Sequence, residues 1–241
     1  MSALIVEKLD VYHGLLAAVR GVDLTVEGGE TMALVGANGA GKTTLLRAIA
    51  GGHAPTSGRV LLDGEDVTKE PAHLRVRRGI ALVPEGRRLF PHLTVEENLR
   101  VGGTAGRPGL WTLASVLEAL PILAGLLRKR AGFISGGEQQ ATAIGRALMS
   151  NPGVLLLDEL SLGLSPIAVD TVYESLSKVI ASGTAVILVE QDLERAMAVA
   201  THLTCMLEGR VVLQGRRAEF TRPQIVSAFF GLERSPGGLE S

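Results

Sequence analysis

The sequence is poor in several features that would point to particular classes of protein. Its 241 residues include one cysteine, Cys205, which excludes a disulfide within the chain and argues against a cysteine-based metal cluster. No apolar run is long enough to cross a bilayer, and the first residues lack the basic stretch and apolar core of a secretory signal. We therefore expect a cytoplasmic chain that reaches a membrane only through partner proteins.

A strong excess of charge of either sign is also missing. The formal net charge is −1, so the chain lacks the basic footprint of a nucleic-acid-binding protein. Two short basic clusters, one at Arg75, Arg77 and Arg78 and one at residues 128–130, are interpreted as solvated faces of helices. Hydrophobic residues make up 46% of the chain, enough for a substantial core, in which Cys205 is predicted to be buried.

A glycine-rich motif follows the first clear buried strand, residues 31–35. Gly36, Gly41, Lys42 and Thr43 fit the spacing G-x-x-x-x-G-K-[ST], and apolar residues then recur at helical spacing over 44–49. Glycines let several backbone N–H groups converge on one anion, and the helix contributes its positive N-terminal end. We predict a phosphate-binding loop, with Lys42 on the terminal phosphates and the Thr43 hydroxyl on Mg²⁺.

A second glycine pair begins another predicted helix, from Gly137 to about Met149. Ser135 and Glu138 have the spacing of a capping box, so a merely well-capped helix is the simple interpretation. However, two glycines in the first turn lower helix propensity by about 1 kcal/mol each. Their advantage is a set of bare backbone N–H groups at a positive helix end, which favours a second phosphate contact.

An acidic pair, Asp158 and Glu159, follows the continuous apolar run 154–157. Such a run is typical of a parallel strand that is buried on both faces, and ligands of open α/β sheets bind at the carboxyl ends of strands. We predict that Asp158 holds Mg²⁺ and that Glu159 positions or deprotonates an attacking water.

The order of the predicted elements indicates an α/β protein. Short strands at 4–9, 22–26 and 59–62 resemble antiparallel hairpins, whereas the chain from Thr94 to Arg130 is mostly helical. We predict a mostly parallel core sheet, an antiparallel β subdomain and an inserted helical subdomain at about 94–150. The single domain would span 1–231, and residues 232–241 would form a loose C-terminal tail.

The ordered set GANGAGKTT, SGGEQQ and LLLDE resembles the ATPase subunits of ABC transporters over nearly the whole chain. The segments VPEGRRLFPHLTVEENL, SLGLSP and VEQD are similar to the branched-chain amino acid importer subgroup, and related amide and urea importers are similar too. The resemblance implies the P-loop NTPase fold, ATP and Mg²⁺ as cofactors, and ATP hydrolysis that powers uptake of hydrophobic amino acids.

The resemblance also implies partners. A second ATPase subunit, identical or related, would complete the ATP sites, with the segment Ser161–Ser165 at the dimer interface. Permease subunits would hold the chain at the inner face of the cell membrane and link it indirectly to an extracytoplasmic substrate-binding protein. The surface around Phe90, Pro91 and Leu93 would face the permease, although ordinary packing is the alternative for each residue.

Individual roles follow from the same resemblance. Glu159 would be the catalytic carboxylate, assisted by Lys42 and by Gln191, which stands where most of the family has histidine. Mg²⁺ would be held by Thr43, Asp158 and Glu85, the last in place of the usual glutamine. The phosphates of ATP would be bound by Gly36, Ala37, Asn38, Gly39, Ala40, Gly41, Lys42, Thr43 and Thr44, and the opposite subunit's ATP by Ser135, Gly136, Gly137 and Glu138.

Two positions depart from the family pattern. For the ring that stacks on adenine, position favours His13 and chemistry favours Tyr12. Leu160 stands where proline usually follows the catalytic glutamate, which predicts a looser backbone.

Two other functions are the alternatives to this one. A guanine-nucleotide switch would need an N-K-x-D motif, which we do not find. An ABC ATPase that acts outside transport would usually carry a second cassette, a coiled-coil insertion or a basic extension.

Overall fold

The structure is a computed structural model that describes residues 4–104 and 106–232. Most of the predicted tail, residues 233–241, lies outside the described residues. The strands are β1 (Leu4–His13), β2 (Leu16–Val26), β3 (Thr31–Val35), β4 (Ser57–Leu62), β5 (Glu65–Asp66), β6 (Ile80–Val83), β7 (Val154–Asp158), β8 (Ala185–Val189), β9 (His202–Leu207) and β10 (Arg210–Arg216). The helices are α1 (Lys42–Ile49), α2 (Ala72–Arg78), α3 (Val95–Gly103), α4 (Leu113–Ala119), α5 (Gly136–Leu148), α6 (Pro166–Ala181), α7 (Leu193–Val199) and α8 (Arg222–Phe230).

The first sheet is antiparallel, in the order β2-β1-β4-β5. A turn at Gly14 joins β1 to β2, and both strands extend further than the apolar runs that predicted them. Only Val11 and Val19 are buried in the added lengths, 10–13 and 16–21, so the hydrophobic pattern alone underestimates these strands.

The second sheet has the order β10-β9-β3-β8-β7-β6. Neighbouring strands from β9 to β6 are parallel, and β10 is an antiparallel edge strand. Both faces of β7 are covered: Val154 and Leu156 pack in one hydrophobic core, Leu155 and Leu157 in another. The first core also contains α1 and the antiparallel sheet, so α1 packs between the two sheets.

A helical segment separates β6 from β7, although these two strands pair in the sheet. It contains α3, α4 and α5 and two short 3₁₀ helices at Pro121–Leu126 and Ala131–Phe133. Capping boxes begin α3 at Thr94 and α5 at Ser135, and the second is the one that the sequence predicts. Helix α3 lies so close to α5 that a Cβ on Gly102 would be 1.8 Å from the carbonyl oxygen of Arg146.

The predicted α/β fold, with its mostly parallel sheet, antiparallel β part and inserted helices, is confirmed by this topology. Helix α8 is an addition to the prediction, and α2 carries the basic cluster at Arg75, Arg77 and Arg78 that was predicted to lie on a helix. Cys205 is fully buried, as predicted, and burial raises the pKa of its thiol to about 11. Among the described helices, none is both long enough and apolar enough to span a membrane.

The prediction that the two basic clusters lie on solvated helix faces is wrong in part. Arg75 on α2 is buried, and its guanidinium donates hydrogen bonds to four backbone carbonyls, those of Ala48, Ile49, Glu70 and Thr68. It therefore caps the C-terminal end of α1, a role that charge patterning could not reveal because the acceptors are distant in sequence. Residues 128–130 are exposed, but they lie in a turn after a 3₁₀ helix.

Candidate nucleotide-binding site

The candidate site lies where three neighbouring parallel strands end. In the register of the sheet, Val189 at the end of β8 is paired with Leu34 of β3 on one side and with Asp158 of β7 on the other. The residues that follow these strands therefore emerge at the same edge of the sheet. This edge is where open α/β proteins bind their ligands.

Close backbone approaches explain two glycines of the predicted phosphate loop. A Cβ on Gly36 would lie 2.2 Å from the carbonyl oxygen of Met206, and one on Gly41 would lie 2.2 Å from that of Ala18. Gly41 also has a φ of 97°, in the region that side chains disfavour. The loop borders a cleft of about 230 Å³, lined by His13, Leu16, Ala18, Asn38, Gly39, Gly41, Lys42, Thr43, Thr44 and Glu159.

Lys42, the first residue of α1, is buried beneath the loop. Its ammonium group donates to the carbonyl oxygens of Gly36 at 2.6 Å and Ala37 at 3.0 Å. Burial lowers the pKa of Lys42, and the nearby carboxylates of Glu159 and Asp158 oppose that effect. A cation therefore lies at the centre of the loop, with two of its three donors on the loop's own backbone.

Thr43 and Asp158 bring two oxygen groups together across α1 and β7. The Thr43 hydroxyl donates to Oδ1 of Asp158 at 3.0 Å, while the buried Oδ2 has no hydrogen-bond partner. Burial raises the pKa of Asp158; Thr43 lowers it, and the charges of Glu159 and Glu85 add to the rise. A buried carboxylate oxygen without a partner, beside a hydroxyl, suits a hard cation such as Mg²⁺.

No group of three or more histidine, cysteine, aspartate or glutamate side chains within residues 4–104 and 106–232 could hold a metal ion. A metal ion here would thus depend on the Thr43 hydroxyl and on oxygens of a bound ligand. Glu85 is exposed in the loop after β6, where it is placed to act on Asp158 through its charge.

Glu159 directly follows β7 and has a left-handed backbone, with φ at 50°. Its N–H donates to the carbonyl of Val189 at 3.1 Å, and its Oε1 accepts from Nε2 of Gln191 at 2.9 Å. Such a conformation in a non-glycine residue costs about 1–3 kcal/mol and must be held by its surroundings. Leu160, in the position where the sequence predicts a looser backbone, is buried in the core beneath α6.

The two candidate rings for base stacking are placed differently. His13 lines the cleft, with its Nε2 3.1 Å from the hydroxyl of Thr44, whereas Tyr12 is not among the lining residues. His53, which no sequence pattern selects, packs edge-on against His13 with ring centroids 4.6 Å apart. Nε2 of His53 is 3.2 Å from the carbonyl oxygen of Tyr12. The backbone of Tyr12 therefore holds His53, and His53 in turn packs against the ring of His13.

The second glycine motif lies at the N-terminus of α5, and none of its residues lines the cleft. Ser135 and Glu138 cap the helix reciprocally. A Cβ on Gly137 would be 2.7 Å from Cβ of Ala168 on α6, whereas one on Gly136 would approach only side-chain atoms, the nearest at 3.3 Å. Close packing of two helices therefore explains Gly137 in addition to any role of its bare N–H group.

Three further polar residues organise the site, and sequence patterns did not select them. Glu190, directly after β8, is buried, and both its oxygens accept hydrogen bonds from Ser161. Burial raises the pKa of Glu190, against the effect of these bonds. Asn98 and Arg146 hold the loop after β6 through its backbone. For Glu190, the sequence contains one signal that could have identified it, an acidic residue at the end of a buried strand.

A glycine loop with a buried lysine, a hydroxyl and strand-end carboxylates at one edge of a parallel sheet defines a P-loop nucleotide-binding protein. A sequence model of the family described as ABC transporter matches residues 19–161. The chain is 42% identical over 228 residues to the high-affinity branched-chain amino acid transport ATP-binding protein BraG of Pseudomonas aeruginosa, covering 93% of this chain and 98% of BraG. The chain belongs to the ABC transporter family, as one of its ATP-binding subunits.

Two further likenesses agree with this assignment. The probable branched-chain amino acid transport ATP-binding protein LivF of Archaeoglobus fulgidus is 34% identical over 215 residues, covering 88% of this chain and 91% of LivF. A nucleotide-free ATP-binding cassette from an ABC transporter superposes with a TM-score of 0.83 at 26% identity, covering 95% of this chain and 99% of the cassette. The predicted family and fold are thereby confirmed.

Proposed function

We propose that this ATPase powers the import of branched-chain or other hydrophobic amino acids through membrane permease subunits. BraG and LivF, which are named for branched-chain amino acid transport, support the choice of cargo. The observation that carries the ATPase role is that Lys42 and Glu159 line one cleft at the sheet edge, with Asp158 hydrogen-bonded to Thr43 of the same cleft.

Phosphate binding is assigned to the backbone N–H groups of residues 36–44 together with Lys42. The loop and the N-terminus of α1 direct positive partial charge at an anion, and Lys42 supplies a full charge. Thr43, Asp158 and Glu85 would hold Mg²⁺, which would offset the negative charge of the phosphates. His13 would stack on the base, since it lies in the cleft beside Thr44.

Glu159 is the proposed general base for the attacking water. Its position at the rim of the cleft and its hydrogen bond from Gln191 support this role. Gln191 can donate a hydrogen bond to a phosphate oxygen as well as to Glu159, but it carries no titratable proton. We infer that it orients the carboxylate and senses the terminal phosphate.

A second ATPase subunit, identical or related, is proposed to complete each ATP site. The motif Ser135–Glu138 begins α5 away from the cleft of its own chain, so its exposed end is available to a nucleotide held by another chain. Such closure would add a second positive helix end to the phosphates and exclude water, and its reversal on hydrolysis would provide the mechanical step.

The loop after β6 is the proposed contact with the permease. Phe90 is half exposed, yet its backbone is fixed: its N–H donates to Oδ1 of Asn98 at 2.9 Å. Arg146 donates to the carbonyls of Arg87 and Arg88 and lies over the Phe90 ring at 5.8 Å. A rigidly held loop that also contains Glu85 could transmit movement of the permease to the metal site.

The test is the variant Glu159→Gln. We expect it to abolish ATP hydrolysis, retain MgATP binding, and accumulate as an ATP-bound dimer measurable by light scattering, because the amide cannot accept the proton of the attacking water. Glu174→Gln, an exposed site on α6, is the matched control. Full hydrolysis in the Glu159 variant would remove that residue from its role.

The cargo needs a separate measurement. Co-purification with the membrane subunits, followed by identification of the bound solute, should yield a branched-chain amino acid. Recovery of an amide or urea would instead assign the chain to a related importer. Tight, salt-sensitive DNA binding without permease would indicate an ABC ATPase that acts outside transport.

A further inference from the structure

Glu190 is a buried carboxylate, 1% exposed, to which the proposed reaction gives no role. It follows β8 directly and precedes Gln191, so it lies between the parallel sheet and the residue that contacts Glu159. Burying a carboxylate is costly unless hydrogen-bond donors surround it. The identity of those donors therefore shows what Glu190 holds in place.

Ser161 supplies donors to both carboxylate oxygens, and the Tyr173 hydroxyl and the Gln191 backbone add contributions that lower the pKa of Glu190 against the effect of burial. The backbone N–H of Ser161 donates to Oε1 of Glu190 at 3.0 Å, and its hydroxyl donates to Oε2 at 2.7 Å. Hydrogen bonds to an ionised acceptor are stronger than neutral ones, and a bidentate pair also fixes orientation. Ser161 is the first residue of the segment 161–165, which joins Glu159 and Leu160 to α6.

These contacts prolong the pairing of β7 with β8 beyond the strand ends. The last backbone bond of the pair runs from Glu159 N–H to the carbonyl of Val189. The Glu190 side chain then takes the place that a strand carbonyl would occupy for the N–H of Ser161. In the opposite direction, Gln191 donates to Glu159.

The resulting arrangement, which we call the strand-end clasp, consists of Glu159 and Ser161 on one side and Glu190 and Gln191 on the other. Gln191 holds the side chain of Glu159, and the bonds between Ser161 and Glu190 hold the chain two residues after it, so the left-handed backbone of Glu159 is fixed. The bonds of the strand-end clasp leave the carboxylate of Glu159 and the segment 161–165 few ways to move independently.

We propose that Glu190 is a positioning residue that couples the segment Ser161–Ser165 to Glu159 and Gln191, so that the interface segment and the reactive carboxylate move as one unit. The inference rests on the proposed ATPase function. Glu190 does not touch the phosphates in this account; it acts through Ser161 and through the neighbouring Gln191.

Three variants of the full-length chain test the proposal: Glu190→Ala, Glu190→Gln and Ser161→Ala. The alanine at 190 removes both acceptors, and we expect kcat for ATP hydrolysis to fall about 100-fold, the loss associated with a misplacement of about 1 Å in a reactive group. KM for ATP should remain unchanged, because the phosphate loop lies on another strand.

Glu190→Gln should restore most of kcat. Its amide oxygen can accept from the Ser161 N–H, and its amide nitrogen can donate to the Ser161 hydroxyl. Ser161→Ala should lower kcat less than Glu190→Ala, because it keeps the backbone N–H bond to Glu190. Combining the two should add little, because Glu190→Ala has already removed the bond of the Ser161 hydroxyl. Ser175→Ala, which removes a hydroxyl bonded within α6, is the matched control and should retain full activity.

Amide hydrogen exchange gives a readout that does not depend on activity. In Glu190→Ala we expect faster exchange at the Ser161 amide and across residues 161–165, with unchanged exchange in β7 and β8. If the unmodified chain shows no ATP hydrolysis, the proposed function fails, and the exchange experiment still decides whether the clasp exists.

Three results would overturn the proposal. The first is native kcat with native exchange in Glu190→Ala. The second is a joint change of kcat, KM and melting temperature, which would mean a general loss of structure. The third is a Glu190→Gln variant as slow as Glu190→Ala despite retained protection of Ser161, which would mean that the charge itself is needed in the reaction.

Discussion

Asp158 and Glu159 are adjacent in sequence but have different environments. Asp158 is the last residue of β7 and is buried, with one oxygen on Thr43 and the other without a partner. Glu159 turns out of the strand into a left-handed conformation and reaches the cleft, where Gln191 donates to it. One carboxylate is thus placed to bind a cation and the other to handle a water, because the chain changes direction between them.

The buried position of Asp158 predicts a pH-dependent cost to stability. Because its folded pKa is raised, the folded chain keeps this proton at pH values where the unfolded chain has lost it. This contribution to the free energy of unfolding therefore falls as the pH rises from about 4 towards the raised pKa. In Asp158→Asn the contribution is absent, so the variant should gain stability relative to the unmodified chain across that window, measured by urea denaturation without nucleotide or metal.

Asp66 provides a control of opposite sign. Hydrogen bonds from Thr68 lower the pKa of this exposed carboxylate. Asp66→Asn should therefore be less stable than the unmodified chain at neutral pH, with the difference disappearing as the pH falls through the lowered pKa. A stability difference for Asp158→Asn that does not change with pH would contradict the account of Asp158.

At the scale of elements, α1 is fixed at one end by the loop next to it in sequence and at the other by a side chain distant in sequence. Its N-terminus forms the phosphate loop, and its C-terminal carbonyls are held by Arg75 from α2. Arg75→Met should destabilise the chain by about 3 kcal/mol, because two buried and two part-buried carbonyls lose their donor while the apolar stem is kept. Chemical denaturation measures the change.

Arg77→Met is the matched control, since Arg77 is exposed on the same helix. It should change stability by no more than about 0.5 kcal/mol. Equal effects of the two substitutions would mean that the buried contacts of Arg75 do not anchor α1.

The two glycines of α5 predict different outcomes on packing grounds. Gly137→Ala would place a methyl group 2.7 Å from Cβ of Ala168. It should lower the free energy of unfolding by about 1–3 kcal/mol, because α5 and α6 must move apart. Gly136→Ala meets side-chain atoms at 3.3 Å and should change stability by no more than about 1 kcal/mol. Thermal unfolding of both variants distinguishes them; equal stability would leave packing without a role in the choice of Gly137.

At the scale of the whole molecule, the parallel sheet separates the hydrophobic core around α1 from the core beneath the helical segment, and the groups proposed for catalysis lie along its edge. The helical segment packs on one face, opposite the antiparallel sheet and α1. The loop with Glu85 and Phe90 connects the parallel sheet to the helical segment. Movement of the helices relative to the sheet would therefore be felt first at this loop.

Substitution of Phe90 tests the proposed link to the permease. In vesicles that contain the assembled transporter, Phe90→Glu should reduce uptake while ATP hydrolysis by the isolated chain stays unchanged, because Phe90 does not line the nucleotide cleft. Leu110→Glu, another exposed apolar position within the helical segment, is the control. Normal uptake by the Phe90 variant would contradict the proposed docking surface.

Local patterns were sufficient for the fold and for the residues of the phosphate loop. Gly36, Gly41, Lys42 and Thr43 are adjacent in sequence, and the apolar runs before them and before Asp158 identify buried parallel strands. The capping boxes at Thr94 and Ser135 are also local signals, because a cap and its partner are three residues apart.

The tertiary structure alone decided the contacts between distant residues. The burial of Arg75, the clasp between Glu190 and Ser161, and the packing of Gly137 on Ala168 each join elements that sequence spacing does not relate. A charged side chain gives the same signal in sequence whether it is solvated or buried. Its partners depend on which strands become neighbours in the sheet, and only the folded chain fixes that order.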